Sequence, residues 1–364
     1  MTTAPVQSVA EPLDLPDLRC RVDAVLHQFL QAKAVKAAAR NLPEEGAHVL
    51  AEFLVVGGKR LRPVLCALGW QAASGAPPPE PVVRVAAAVE MFHAFCLIHD
   101  DIIDQSHTRR GHPTVHRALA RQYGAGRPGP LAERLGTACA LLIGDLALAW
   151  SDELLHTAGL TSRQLTAVVP VMDAMRSEVI HGQYLDVTAT GALTADLERA
   201  LAIIRYKTAG YTVERPLHIG SVLGGARQAL LRELSAYALP LGEAFQLRDD
   251  LLGVFGDPKV TGKSHLEDLR EGKHTVLVAL ALRDAAPRHA AILRRLVGNP
   301  QLTVAEAAQV RDILTVTGAR TQVEEMIAER RRQVLRLLAS AHSIRPVARQ
   351  TLRQLADTAT RRTS

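Results

Sequence analysis

The sequence predicts an all-α fold. Alanine and leucine, which are strong helix formers, dominate nearly every segment of the 364-residue chain, and aromatic residues make up only 4% of it. Alternating runs of β-branched residues, the pattern typical of half-buried strands, are few. Hydrophobic residues account for 48% of the chain, which is enough for a large buried core. We therefore expect one large helical body.

Helical periodicity begins near Leu18 and persists to about Leu355, and its interruptions have the composition of loops. None of these breaks is long enough or polar enough to be a flexible interdomain linker; they lie at 74–81, 124–130, 187–194, 255–264 and 298–303. Residues 1–16 contain several prolines and are predicted to form a flexible N-terminal leader. Residues 17–364 are then interpreted as a single domain of roughly a dozen helices.

Net charge and cysteine content indicate which kinds of partner and which cellular compartment suit this sequence. The net charge of +6 suits anionic partners, but no aromatic interleaving or zinc-knuckle spacing supports nucleic acid as a partner. The four cysteines form no CxxC pair and lie in apolar helical stretches, which indicates free buried thiols in a reducing cytoplasm: Cys20, Cys66, Cys96 and Cys139. We find no signal-peptide pattern and expect no transmembrane segment, so a cytoplasmic location is predicted.

The first chemical signal is HDDIID at 99–104, where an apolar helical pattern ends in three aspartates, Asp100, Asp101 and Asp104. Positions 100 and 104 share one helix face about one turn apart, and such carboxylates repel unless a cation lies among them. Oxygen donors of this kind suit Mg²⁺. Arg109 and Arg110 follow, and the guanidinium fork matches phosphate. The pattern predicts a magnesium diphosphate site, although this cluster alone is also compatible with an exposed helix end.

A second acidic pair closes another apolar helical run, FQLRDDLLG at 245–253. Asp249 and Asp250 stand at its end, and Gln246 lies one turn before Asp250. A loop broken by Gly and Pro follows, and then come Lys263, Asp268 and Lys273. Two aspartate pairs on separate helices could face each other across a cavity and bridge metal ions.

A third element, GGKRLRP at 57–63, places three cations within four residues. Its glycines permit close backbone approach, so the segment suits an anion site. The segment lacks the GxxxxGK[ST] pattern and follows no strand, so we reject a nucleotide P-loop. A basic turn on the surface remains the other interpretation.

Together, the motifs GGKRLRP, HDDIID, RRG, YKTA, GQYLD and FQLRDDLLG resemble the trans-isoprenyl diphosphate synthases, the family of farnesyl and geranylgeranyl diphosphate synthases. The resemblance spans Gly57 to Thr275. It implies the isoprenoid synthase fold, a bundle of antiparallel helices around a deep central cavity, usually as a homodimer. It also implies a transferase of isoprenoid biosynthesis that joins isopentenyl diphosphate head-to-tail to an allylic diphosphate with about three Mg²⁺ ions per active site.

The resemblance assigns roles residue by residue. The implied metal ligands are Asp100, Asp104 and Asp249, and the catalytic set adds Asp101, Arg109, Lys207 and Asp250. The implied isopentenyl diphosphate site is Lys59, Arg62, His93 and Arg110. The implied allylic diphosphate site is Arg109, Lys207, Thr208, Gln246, Lys263 and Lys273, with Gln183 and Asp186 lining the same cavity. One position departs from the family pattern: Gly253 stands where many relatives have a third aspartate, and we expect activity to survive this change.

Product length is predicted from the residues below the first motif. Phe95 lies five positions before Asp100, about 7.5 Å lower along the helix. By resemblance, an aromatic residue at this position is typical of geranylgeranyl diphosphate synthases, and the small Cys96 leaves more room than a second aromatic would. We therefore predict a C20 product, with C15 farnesyl diphosphate or a longer polyprenyl diphosphate as alternatives. Ordinary core roles for Phe95 and Phe92 remain open.

Two other classes are less favoured. A terpene cyclase would carry an Asn/Ser/Glu triad as its second metal site and would need no second diphosphate site, whereas this chain has Asp249 and Asp250 together with Lys59 and Arg62. A non-catalytic partner subunit usually lacks one aspartate motif, and both motifs are present here.

Overall fold

A computed structural model describes residues 12–56, 58–256 and 266–360 and confirms the predicted all-α fold. Within these ranges there are sixteen α-helices: α1 (Leu15–Ala38), α2 (Glu45–Val55), α3 (Leu61–Ser74), α4 (Glu80–Ile103), α5 (Val115–Tyr123), α6 (Gly129–His156), α7 (Ser162–Ala189), α8 (Leu197–Ile203), α9 (Arg215–Leu223), α10 (Gln228–Phe255), α11 (Glu267–Glu271), α12 (Val276–Asp284), α13 (Pro287–Leu296), α14 (Val304–Val316), α15 (Ala319–Ser340) and α16 (Pro346–Thr360). A π-helical segment, Ile204–Glu214, joins α8 to α9.

The structure has more elements than the roughly dozen helices expected. Helices α8 and α11 contain seven and five residues, which is too short for a hydrophobic period to be recognised in the sequence. A two-stranded antiparallel hairpin, β1 (Thr108–Arg109) and β2 (His112–Pro113), was also not predicted.

Helix α1 shows how apolar spacing and a cap define an element. Its buried residues recur every four positions, from Leu18 to Ala34, and the Asp14 side chain accepts a hydrogen bond from Asp17 N at 3.0 Å. The helix therefore begins inside the predicted leader, of which residues 1–11 lie outside the described part. Cys20 is exposed, so the prediction that it is buried is wrong; it falls on the face opposite the apolar stripe.

Two buried apolar clusters form the core, one around α4 and the other around α12. Helix α10 contributes to both, with Leu234 in the first cluster and Leu251 in the second. Helices α3 and α9 cross closely because glycines stand at the contact. A Cβ added to Gly69 would lie 2.0 Å from the Leu217 carbonyl oxygen, so a side chain there would force the helices apart.

The π segment lies between α7 and α10, and a glycine on each helix allows the close approach. A Cβ on Gly182 would lie 2.4 Å from Lys207 N, and a Cβ on Gly242 would lie 2.4 Å from Ala209 Cα. Both contacts are with backbone, so larger residues would displace the segment. The two glycines therefore determine the position of the backbone at 207–209. π-helical turns often occur at functional sites.

Helix α4 is the single helix among the described residues that is long and apolar enough to cross a membrane by length and composition. We expected no such run in the sequence, and this helix is the exception. About two thirds of its apolar window (67%) is buried inside the protein. Burial of this kind is also found in the core helices of globular proteins.

Candidate active site

The first aspartate motif lies at the C-terminal end of α4, and the β1–β2 hairpin brings Arg109 back onto it. Arg109 donates from Nε and Nη2 to the Asp101 carboxylate at 2.8 and 2.7 Å. Asp101 is 1% exposed; burial raises its pKa, and hydrogen bonding by Arg109 opposes only part of that rise. Arg109 Nη2 also lies 3.8 Å from Asp100 Oδ2. The guanidinium expected at the allylic diphosphate is thus paired with Asp101.

Asp100 is held by side chains from α7 and the π segment. Gln183 Nε2 donates to Asp100 Oδ1 at 3.0 Å, and Lys207 Nζ lies 3.2 Å from the same oxygen. Lys207 also donates to Asp186 Oδ2 at 2.5 Å. Burial alone would raise the pKa of Asp100, but the positive charges of Lys207 and its neighbours outweigh it and the pKa is lowered. Asp100 is therefore a carboxylate near neutral pH.

Asp104 caps α4 and pairs with a lysine from the distant segment after α11. Lys273 Nζ lies 3.1 Å from Asp104 Oδ2 and 2.7 Å from Glu271 Oε2. Gly272 has φ +67°, a conformation that favours glycine, and so turns the chain to direct Lys273 back to α4. Burial alone would lower the pKa of Lys273, but the two carboxylates raise it well above its ordinary value.

The second aspartate motif ends α10 and is joined to the π segment by hydrogen bonds. Thr208 Oγ1 donates to Gln246 Oε1 at 2.8 Å, and Gln246 Nε2 donates to Asp250 Oδ1 at 2.8 Å. Burial raises the pKa of Asp250 to about 7, and the negative charges of Asp268 and Asp249 add to the effect.

The two motifs converge through adjacent residues of the π segment. Lys207 contacts Asp100 at the end of α4, and Thr208 contacts Gln246 near the end of α10. Lys273 connects the same two regions, because it contacts Asp104 and its positive charge partly opposes the rise in the pKa of Asp250. The ends of α4 and α10 are therefore linked through the π segment.

A basic cluster lies beside the first motif. Arg62 Nη2 donates to Thr212 Oγ1 at 2.6 Å, and its guanidinium carbon lies 4.3 Å from the centre of the Tyr211 ring. His93 Nδ1 is 2.9 Å from the Tyr211 hydroxyl. Burial, together with the nearby arginines, holds the pKa of His93 well below its ordinary value. The imidazole is therefore neutral.

Arg110 belongs to the same cluster, with φ +53° in the hairpin turn. A Cβ on Gly58 would lie 3.5 Å from Arg110 Nη1, so the backbone at Gly58 packs directly against this guanidinium. The Lys59 carbonyl accepts a hydrogen bond from Arg19 Nε at 3.1 Å. Lys263, expected at the allylic diphosphate, lies outside the described residues.

The three predicted chain-length residues differ in exposure. Phe92 is completely buried, with its ring centre 5.4 Å from that of Phe95 and 6.0 Å from that of Tyr211. Phe95 and Cys96 are partly exposed, and Phe95 packs on His99 at 4.6 Å between ring centres. Burial raises the pKa of Cys96 to about 12, so its thiol is neutral.

The position that departs from the family pattern is filled from another helix. Gly253 lies one turn after Asp249 on α10, and a Cβ added to it would lie 1.7 Å from Asp268 Oδ2. The carboxylate of Asp268, on α11, therefore occupies the space in which a side chain at 253 would begin.

Other residues of the site were not identified as functional from the sequence. Glu271 pairs with Lys273, Tyr211 and Thr212 contact the basic cluster, and Glu90 is a buried carboxylate beside it. Tyr211 and Thr212 lie two and three positions after YKTA (206–209), so that motif was the available signal. Glu271 and Glu90 have no such signal, because their roles depend on contacts between distant helices.

The donors present fit Mg²⁺. The described residues contain no three acidic, histidine or cysteine side chains already arranged around one point. Asp100 and Asp104 are each directed to a lysine, and Asp250 is a partly buried carboxyl group whose pKa is raised by burial. Hard oxygen donors such as these carboxyl groups are the donors that Mg²⁺ prefers.

Known proteins resemble this chain in sequence and in fold. The polyprenyl synthetase family model matches residues 44–314. A geranylfarnesyl diphosphate synthase of Aeropyrum pernix is 31% identical over 78% of this chain and 84% of its own length, and a geranylgeranyl diphosphate synthase of Saccharolobus solfataricus is 31% identical over 77% and 78%. The crystal structure of a Corynebacterium glutamicum geranylgeranyl pyrophosphate synthase, complexed with isoprenyl diphosphate and magnesium, is 39% identical, with a TM-score of 0.90 covering 96% of this chain and 100% of that one.

The chain belongs to the polyprenyl synthetase family. It is a transferase of the isoprenoid synthase fold, and the family and fold predicted from its motifs are confirmed.

Proposed function

We propose that the protein is a Mg²⁺-dependent prenyltransferase that condenses isopentenyl diphosphate head-to-tail with an allylic diphosphate and forms geranylgeranyl diphosphate. The carrying observation is that Lys207 and Thr208, adjacent in the chain, contact the ends of both aspartate helices, at Asp100 and Gln246. The magnesium-containing relative from Corynebacterium glutamicum supports both the metal and the product class.

We assign the metal to Asp100, Asp104 and Asp249, with about three Mg²⁺ ions per site as the resemblance implies. When bound, Mg²⁺ would neutralise charge on the departing diphosphate. Lys207 and Lys273 lie next to these carboxylates and can turn their ammonium groups to the same diphosphate. Because both lysines remain charged, they can stabilise the leaving group.

The basic cluster is assigned to isopentenyl diphosphate. Arg62 and Arg110 supply positive charge, and the neutral His93 can donate a hydrogen bond without adding further charge repulsion. The C–O bond of the allylic diphosphate breaks first, which gives diphosphate and an allylic cation. The double bond of isopentenyl diphosphate then attacks C1 of that cation and forms the new C–C bond. Thr208 can direct its hydroxyl oxygen or backbone carbonyl to the cation. The proton that is released passes to the departing diphosphate.

The product length is assigned to the α4 residues below Asp100. Phe95 and Cys96 retain exposed surface that an isoprenoid tail can contact, whereas Phe92 has none and acts through Phe95. The names of the relatives support C20, and they also include the longer geranylfarnesyl product.

A homodimer is the proposed assembly. Helices α6 and α7 carry large apolar side chains that are exposed in the single chain: Leu141, Leu142, Leu146, Ile180, Tyr184 and Val187. Those on α7 recur at four- and three-residue spacing and so share one face. Exposed apolar surface of this kind favours association with a second copy. The free cysteines and water-soluble substrates support a cytoplasmic location.

The decisive experiment incubates the purified chain with Mg²⁺, isopentenyl diphosphate and dimethylallyl, geranyl or farnesyl diphosphate in turn. We expect elongated diphosphates, with geranylgeranyl diphosphate as the main product, and no reaction after chelation of Mg²⁺. A hydrocarbon product would indicate a cyclase. Activity that requires a second, different chain would indicate a partner subunit.

A further inference from the structure

Arg60 stands between two of the residues assigned to isopentenyl diphosphate, yet its own side chain is directed into the protein. Only 7% of the surface of the Arg60 residue is exposed. Its backbone has φ +47° and ψ +42°, the left-handed conformation that costs free energy for a residue with a Cβ. Three strong contacts hold it there, which distinguishes it from an ordinary basic surface turn.

The three contacts come from three different helices. Arg60 Nε donates to Asp23 Oδ1 of α1 at 2.7 Å, and Nη1 donates to Glu90 Oε1 of α4 at 3.0 Å. Nη2 donates to the carbonyl oxygen of Leu54 in α2 at 2.6 Å. Glu90 is itself only 5% exposed, so the pair is buried. The planar fork of arginine suits such divergent acceptors, and a lysine could not satisfy all three.

This anchor acts on the loop that carries the phosphate-binding candidates. Arg60 is the residue immediately before α3, so its position determines where Lys59 and the first turn with Arg62 begin. A Cβ on Gly58 would lie 3.1 Å from Arg60 Nη1 and 3.5 Å from Arg110 Nη1. The loop backbone therefore lies against the anchoring guanidinium and against one assigned to substrate.

We propose that Arg60, paired with Glu90, is a positioning residue that holds the loop at 58–62 in the geometry required for isopentenyl diphosphate. Arg60 does not contact the substrate itself. This inference rests on the proposed function, because it concerns the same substrate. It predicts a selective effect on one substrate, since the contacts around Lys207 and Lys273 do not involve Arg60.

The test compares Arg60→Met, Arg60→Lys and the double variant Arg60→Met/Glu90→Gln with the wild type. Arg84→Met is the matched control, because Arg84 is an exposed arginine on α4 whose ion pair within the described part of the chain is with Glu80. For each protein, KM for isopentenyl diphosphate, KM for farnesyl diphosphate, kcat and Tm are measured. Calorimetry with isopentenyl diphosphate alone gives the binding constant independently of turnover.

We expect Arg60→Met to raise KM and Kd for isopentenyl diphosphate about tenfold or more, with KM for farnesyl diphosphate within about twofold. Its Tm should fall, because Glu90 is left buried and unpaired. The double variant should regain Tm while KM for isopentenyl diphosphate stays high, and Arg60→Lys should be intermediate. The Arg84→Met control should match the wild type.

Two results would overturn the inference. One is a double variant whose KM recovers together with Tm, which would make Arg60 a purely structural residue. The other is an equal rise in KM for both substrates. A wild-type protein that does not turn over isopentenyl diphosphate would refute the proposed function itself, and the inference with it.

Discussion

The carboxylate of Asp268 lies where a side chain at Gly253 would begin, with 1.7 Å between Asp268 Oδ2 and an ideal Cβ. Position 253 follows Asp249 by one turn, as Asp104 follows Asp100 in the first motif. The space at position 253 is thus occupied by a carboxylate from α11. The glycine and Asp268 must be considered together.

Restoring an aspartate at this position should therefore be harmful. Gly253→Asp places a side chain against Asp268, so we expect Tm to fall by several degrees, since overpacking typically costs about 1–3 kcal/mol. The Mg²⁺ concentration for half-maximal activity should also rise. Gly253→Ala should show a smaller fall in Tm, and adding Asp268→Ala should relieve it. A Gly253→Asp protein with normal Tm and tighter Mg²⁺ dependence would contradict this account.

Removing the first metal-ligand candidate should abolish turnover and leave the fold intact. Asp100→Ala eliminates one carboxylate and leaves Lys207 paired with Asp186, so we expect kcat to fall by about three orders of magnitude or more. Circular dichroism should be unchanged. Asp17→Ala, at an exposed aspartate on α1, is the control and should retain full activity. Near-normal turnover by the Asp100 variant would refute the metal assignment.

Shortening Phe95 should lengthen the products. Phe95→Ala removes a partly exposed ring below the first motif, and we expect radiolabelled isopentenyl diphosphate to be incorporated into chains beyond C20. Phe92→Ala is the comparison, because this ring is fully buried; it should mainly lower stability, by about 3–5 kcal/mol. An unchanged product profile for Phe95→Ala would exclude Phe95 as the residue that limits product length.

Asp250 should make the metal-free protein less stable as pH rises. Its native pKa is about 7 against an ordinary value of 3.8, so between these pH values the native state binds more protons here than the unfolded chain. The contribution of Asp250 to the free energy of unfolding therefore decreases as the pH rises from about 4 to about 7. Asp250→Asn should increase the free energy of unfolding relative to wild type by on the order of 2 kcal/mol at pH 8, and so raise Tm, with no increase at pH 4. Thermal unfolding in chelator tests this, and parallel Tm profiles would disprove it.

A charge placed on the exposed apolar face should disrupt the proposed dimer. Leu142 on α6 is 64% exposed in the single chain, so Leu142→Arg should not affect the folding of the protomer but should yield monomers. Light scattering after size exclusion gives the mass directly. Val316→Arg is the matched control, because Val316 is 75% exposed on α14, away from this face. A monomeric wild type, or a Leu142→Arg dimer, would argue against the assigned interface.

Local spacing in the sequence determined the fold class of this protein and which motif residues share a helix face. The four-residue interval between Asp100 and Asp104 places both on one helix face, and helix-forming composition with apolar periodicity predicts the all-α fold. These features depend on neighbouring residues alone. The order of the motifs was sufficient to predict the family.

Tertiary structure decided which partner each of these side chains has. Arg109, expected at a diphosphate, is paired with Asp101; Lys273 is shared by Asp104 and Glu271; and Arg60, in an apparently basic turn, is buried against Glu90. These pairs join residues that lie on different helices or turns, up to 169 positions apart in the case of Asp104 and Lys273. The spacing of residues along a helix repeats over only a few positions, so it specifies which residues share one helix face. The packing of the helices decides which residues that face contacts.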